Sequence, residues 1–463
     1  MGIFDHLGQL PVEVRASLEQ ELADIDEAGG ASKNVKLQRR VEGSLMANTT
    51  TIYVRSTGTD TEGDGTLANP FRTLRYALQA VPLYIRYDER YVIDCTGAST
   101  YASPEASAEP LVIPPFQGNG LGYSIGSTET IRDRVQKPLT IYAEPTVIDT
   151  LLASEFTVTP NPTTTLSNFD TTRNLTLDEW KGKLIWRTSS NDYGVIVGNT
   201  AGPNSTVYTT GLGWTDADTL IMEPSYWIDQ VVPGGYTYSG SGAIVCKDAA
   251  VPMQFAGIGF QSSAGSAFNS SFSARNCSQN VELFMCDVNG AYLTGSKFYG
   301  SYTYFRSGKT IYVFGGAPSF NECFFDGTSI NCAAGGLDLY TNIGLSVANG
   351  GGSASEFITN LIPNSSGGHI NLNRVEVMNY TGTALKCYGD KVNLKDVDLH
   401  DNGNGVLLSN GSQASLDGTT SSAANSGTGL TLEHGSQCRR GSSTIEGTTA
   451  DFKVGDNAAS AGG

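Results

Sequence analysis

From His369 to Asn457 the hydrophobic and polar positions fall into four matching rows: "HINLNRVEVMNYTGTALKCYGD", "KVNLKDVDLHDNGNGVLLSNGS", "QASLDGTTSSAANSGTGLTLEHGS" and "QCRRGSSTIEGTTADFKVGDN". Leu372, Leu394 and Leu416 follow one another at intervals of 22 residues. The first three rows open on an apolar/polar alternation, the period of a half-buried strand, and in all four a second strand follows a turn of small residues. A repeat of this length, with two or more short strands and Gly/Asn corners, predicts one coil of a parallel β-solenoid. One coil alone cannot bury its apolar residues, but coils stacked ~4.8 Å apart pair each backbone with the next. Leu372, Val375 and Val377 then stack inward on Leu394, Val397 and Leu399, while Glu376 and Asp398 share an outward column. Leucine-rich repeats need a denser leucine pattern, and propeller blades run to ~40 residues.

Upstream the texture changes twice. In "PVEVRASLEQELADIDEAGG" the residues Val14, Leu18, Leu22 and Ile25 form an apolar stripe at helical spacing, stopped by Gly29-Gly30. The helix either packs on its own domain or serves as an anchor; the short polar link after it favours an anchor over residues 1–46. Between 155 and 232 the strands "GKLIWRT", "YGVIVGN", "STVYTT" and "DTLIMEP" have apolar centres at Leu184, Val195, Val207 and Leu220, 11 to 13 residues apart. That spacing predicts a small β module with its own core. All four tryptophans, Trp180, Trp186, Trp214 and Trp227, lie in this segment; core filling is the preferred reading over a sugar-stacking surface. The expected division is therefore 1–46 anchor, 47–154 cap and first coils, 155–232 inserted module, 233–455 main solenoid and 456–463 tail.

Composition narrows the function classes. The 55 glycines and 16% charged residues disfavour long helices beyond the N-terminus. A net charge of −17 makes nucleic acid a poor partner, because phosphate binding rests on Lys and Arg, and is compatible with neutral sugars. The eight cysteines form no CxxC and do not cluster with the four histidines, so buried free thiols are expected and a zinc site is not. The start "MGIFDHLGQLPVEVR" carries no secretory signal, and no apolar run is long enough to cross a bilayer. Synthesis in a reducing cytosol is the expectation.

The acidic stretch Asp60, Glu62, Asp64, Gly65 matches the start of an EF-hand loop, but position 12 is Phe71 instead of a bidentate glutamate, so no metal is assigned. Strand "IYVRSTG", turn "TDTEGDGTLANPF" and helix "RTLRYALQAV" instead resemble the N-terminal cap of pectate-lyase-like right-handed β-helices. On that resemblance Asp60, Glu62 and Asp64 shape the turn, and Leu74, Ala77, Leu78 and Val81 cover the first coil. The whole layout is similar to phage tailspikes and related virion appendages, except that no large domain follows the last coil. The expected fold is all-β: a right-handed, single-stranded parallel β-helix with a helical anchor and an inserted β module.

The resemblance implies a homotrimer on a virion or extracellular particle surface, held through residues 1–46 and displaying a rigid flank to host-surface polysaccharide. A polysaccharide lyase or hydrolase on the same scaffold is the alternative, and a fibre of a phage-tail-like contractile particle a further one. No cofactor and no membrane insertion are expected. For hydrolysis Glu376 and Asp398 are the candidate pair, since retaining enzymes need carboxyl groups ~5–5.5 Å apart and inverting ones ~6.5–9.5 Å. Acidic columns on a repeat protein also place carboxylates together without any chemistry, so the balance leans away from an enzyme. His400 beside Asp401 and His434 beside Glu433 read as surface pairs without a partnered serine. Tyr292, Tyr299, Tyr302 and Tyr304 exceed what one inward face can hold; they are expected at a subunit contact or a sugar-stacking surface, with the contact favoured.

Overall fold

A computed structural model gives the fold. It describes residues 48–462 apart from 87–88, 99, 103–110, 119–136, 160–165, 188–191, 211–217, 224–225, 231–243, 263–269, 307–308, 334, 346–355, 361–367, 419 and 456–458. The anchor stripe Val14, Leu18, Leu22 and Ile25 lies outside the described residues, as does Trp214.

The chain is a parallel β-helix with three faces. The first face has 13 strands, from Asn48–Tyr53 to Ala459–Gly462; the second has 11, from Thr100–Ala102 to Thr444–Gly447; the third has 11, from Leu111–Ile113 to Ala450–Val454. Eleven successive coils contribute one strand to each face in turn, and the first face carries one further strand at either end. Leu372 pairs with Leu394 and Leu394 with Leu416, and Val377 lies against Leu399, as the repeat predicts. Lys391–Lys395 shows the cause: its residues alternate exposed and buried, so Val392 and Leu394 enter the core while the lysines and Asn393 stay in water. Farther down, the interior is filled by rings. Phe305 and Phe325 stack at 5.0 Å, and Phe320 and Phe357 meet Phe325 edge-on at 5.5 Å each.

In six successive coils the corner from the first face to the second is made by one left-handed residue. Met285, Tyr302, Glu322, Thr341, Arg374 and Asp396 all hold φ between 49° and 55°. Each of their N–H groups donates to a carbonyl of the next coil, Thr341 to Asn373 at 2.9 Å for example, which offsets the strain. Thr341, being β-branched, tolerates this conformation least. Thr341→Gly is expected to stabilise the protein by about 1 kcal/mol, the relief of strain exceeding the entropy glycine adds to the unfolded chain; denaturant unfolding checks it.

At the N-terminal end, Asp60 accepts the N–H groups of Arg72 (3.0 Å) and Thr73 (2.9 Å) just ahead of the helix Leu74–Ala80, and Asp64 accepts that of Thr66. The helix buries Leu74, Ala77 and Leu78 over the first coil, and Val81 behind it is also buried. All eight cysteines are free, Cys332 half-buried and the other seven buried.

The inserted module is a seven-stranded antiparallel sheet. Its strands run from Thr146–Leu152 to Asp218–Glu223, whereas 155–232 was expected; Tyr226–Gln230 already pairs in parallel with Ile258–Ser262 on the second face. The flanking strands share the module's β-rich texture, so composition did not mark its edges. Likewise Ala459–Gly462, placed in the tail by sequence, pairs with Gln437–Arg440 as a further strand. The two end strands of the module's sheet are brought together: Leu151 from one and Phe156 from the other pack into one cluster with Trp180, Ile185, Ile196 and Val207. Arg173 ties this seam, bonding Asp149 at 2.7 Å and Glu155 at 2.8 Å.

Candidate functional site

The module lands on the outside of the helix. Leu184, Tyr193, Val195 and Val197 of the module form one buried cluster with Val92, Tyr142, Phe284, Phe324 and Ile343 of the coils. Trp186 stacks on Tyr193 at 5.8 Å, and Tyr193 meets Phe284 and Tyr302 at 6.1 and 5.5 Å. Gly182, at φ +76°, rests on the Tyr304 ring, which a Cβ there would strike. Lys181 Nζ lies 2.9 Å from Asp326, whose other carboxylate oxygen accepts the Tyr304 hydroxyl at 2.8 Å. Burial, with the adjacent Asp326 charge, pushes the Tyr304 phenol far up.

Two of the four tyrosines meet the module: Tyr302 and Tyr304 are half-buried and pack against its cluster, a contact within the chain that the sequence reading did not foresee. Tyr292 stands on the third face beneath the Arg275 guanidinium (5.2 Å) and beside Phe314 (5.5 Å). Tyr299 stands on the first face, 37% exposed. The four belong to three different surfaces. Position along the chain could not separate them, because consecutive strands turn onto different faces. Of the tryptophans, Trp180 fills the module core and Trp186 the module–helix contact.

Above the module, the outer column of the second face continues from Ile343 to Glu376 and Asp398, which are register partners as predicted. Their environments differ. The Glu376 side chain is 3% exposed and its Oε1 is 3.1 Å from His400 Nε2; the other ring nitrogen is 2.8 Å from Asp401. The hydrogen bond that His400 donates to Glu376 dominates over burial and raises the His400 pKa to about 9. At neutral pH His400 is therefore a cation with both N–H groups donating to carboxylates. Glu376 is half of an ion pair between coils, turned away from solvent, and this cluster holds charge in place. His400 had read as a surface pair with Asp401; its spacing of 24 residues from Glu376 is the signal that a coil register would have exposed.

His434 does meet a serine, contrary to the sequence reading: its Nδ1 is 2.9 Å from Ser409 Oγ. Ser409 is buried and Glu433 approaches the same ring nitrogen at 3.9 Å, so the three do not form a nucleophile–base–orienter relay.

The outer side of the first face carries a row that sequence reading missed. Asn393 Nδ2 donates to Asn371 Oδ1 at 2.8 Å, and Asn371 Nδ2 donates to Asp338 Oδ1 at 2.7 Å. His369 Nε2 lies 3.6 Å from the same Asp338 oxygen. Tyr340, 40% exposed, stands beside the row in the same strand as Asp338. The available signal was the 22-residue spacing of Asn371 and Asn393, each one residue before a stacked leucine.

No family model matches the chain. No curated protein matches it. Among solved structures, a complex of XylC with xylose aligns at 10% identity and a TM-score of 0.23, covering 86% of this chain and 68% of that one. The catalytic unit of a thermostable GH87 alpha-1,3-glucanase from Streptomyces thermodiastaticus aligns at 8% identity and a TM-score of 0.23, covering 68% and 96%. Likenesses this distant carry no argument about activity.

Proposed function

We propose that this protein is a rigid β-helical appendage that attaches to cell-surface polysaccharide without cleaving it. The observation that carries the reading is the state of Glu376. A glycosidase needs two carboxyl groups facing the scissile bond; here one of the candidate pair is buried and neutralised by His400. The stacked coils support the rest, since a solenoid whose strands pair over its length presents fixed side chains along a long flank. In this reading the protein is a tailspike-like virion component, trimeric, anchored to its particle through residues 1–46.

Incubation of the full chain with purified host-envelope polysaccharide is expected to give binding in a pull-down and no release of reducing ends or unsaturated products. Steady release that is lost in Asp398→Ala would replace this reading with a depolymerase. Sedimentation of a monomer would remove the trimer.

A further inference from the structure

We infer that the outer row of the first face is the polysaccharide-binding strip, and that its ligand is a neutral, linear glycan lying along the stack of coils. This rests on the attachment reading above and gives it a place and a ligand class. Gln254, Glu282, Tyr299, Asp338, Asn371 and Asn393 occupy one outward register column, passing through Ser319 between Tyr299 and Asp338.

Three properties of the column point to sugar. The first is preorganisation. Each amide has two N–H groups and two lone pairs, and the Asn393–Asn371–Asp338 chain uses one N–H of each asparagine. The remaining N–H groups and the second Asp338 oxygen are left in fixed orientation at each coil, so a ligand need not freeze them. The second is the pair of exposed rings, Tyr299 and Tyr340, at two levels of the stack, whose faces suit the C–H side of a pyranose.

The third is charge. At the foot of the column Gln254 is closed to solvent, and Glu282 above it is paired with Lys137 at 3.4 Å, which leaves Asp338 as the carboxylate presented higher up. With a net charge of −17 on the chain, an anionic glycan would be repelled.

The test uses the full chain on immobilised bacterial capsular and O-antigen polysaccharides, neutral and uronate-containing, alongside adsorption to the cells that carry them. Capture by a neutral polysaccharide is expected, with affinity falling roughly tenfold or more in Asn371→Ala and in Tyr299→Ala at unchanged melting temperature. Tyr340→Ala separates binding from structure: the ring is 40% exposed, so stability should be unchanged while affinity falls. If wild type is captured and all three variants match it, the strip is wrong and the attachment reading stands. Capture by uronate polymers alone overturns the ligand class. If the wild-type chain adsorbs to no cell and no polysaccharide, the attachment reading falls and takes the strip with it.

Discussion

Lys181→Ala is expected to cost about 3 kcal/mol and to loosen the module from the helix, because it strands a buried charge. Asp326 is 5% exposed, and Lys181, 16% exposed, is its cationic partner at 2.9 Å. The Tyr304 hydroxyl satisfies one carboxylate oxygen but brings no compensating charge. The loss comes from the carboxylate left behind more than from the attraction removed, and this can be separated experimentally. Asp326→Asn in the Lys181→Ala background removes the stranded charge, keeps an acceptor for Tyr304, and should recover most of the loss. Denaturant unfolding gives the energies, and limited proteolysis between Thr146 and Glu223 reports whether the module is released. A single variant within about 0.5 kcal/mol of wild type would show that the aromatic layer of Tyr193, Phe284 and Tyr302 alone seats the module.

That contact also marks the limit of what the sequence could disclose. The coils from His369 onward were legible because their turns have nearly constant length: His369 pairs with Lys391 and Lys391 with Gln413, both 22 residues on. Lower down the interval varies, from 17 residues between Val281 and Phe298 to 48 between Tyr91 and Leu139, even leaving aside the coil that carries the module. The same inward and outward alternation is present there, but no fixed period reveals it. The cap was legible because its information is local: Asp60 reaches Arg72 and Thr73 within one turn and helix. Within the module, the spacing of apolar centres disclosed the strands, and the apolar centres Leu184 and Val195 of two of them are register partners. Where the module lands was not legible, since Gly182 on Tyr304 and Lys181 on Asp326 join positions over a hundred residues apart. The outward rows fall between these cases. Their members are readable once the register is known, yet whether a carboxylate there is exposed or clamped depends on a neighbour one coil away.

His400 is where that dependence has a measurable consequence. Its pKa is raised to about 9 in the folded protein against an ordinary value of 6.5. A group raised in this way contributes stability that is fully present below about pH 6.5 and is lost as pH climbs through about 9. The full linkage is ~3 kcal/mol; because the ring is partly open to solvent, screening leaves ~1–2 kcal/mol. His400→Ala should cost more, about 3 kcal/mol at pH 7, since Glu376 then loses the cation that faces it in a site closed to water. With four histidines in the chain, an imidazole-labelled sample can be titrated residue by residue. In wild type the His400 midpoint should lie well above the ordinary imidazole value, and Glu376→Gln should return it toward that value, because the bond to Glu376 is the largest cause of the shift. A His400 midpoint at or below 6.5 in wild type would mean that the ring does not carry the charge that neutralises Glu376. The attachment reading would then lose the observation that carries it, and Glu376 and Asp398 would stand again as a candidate acid pair.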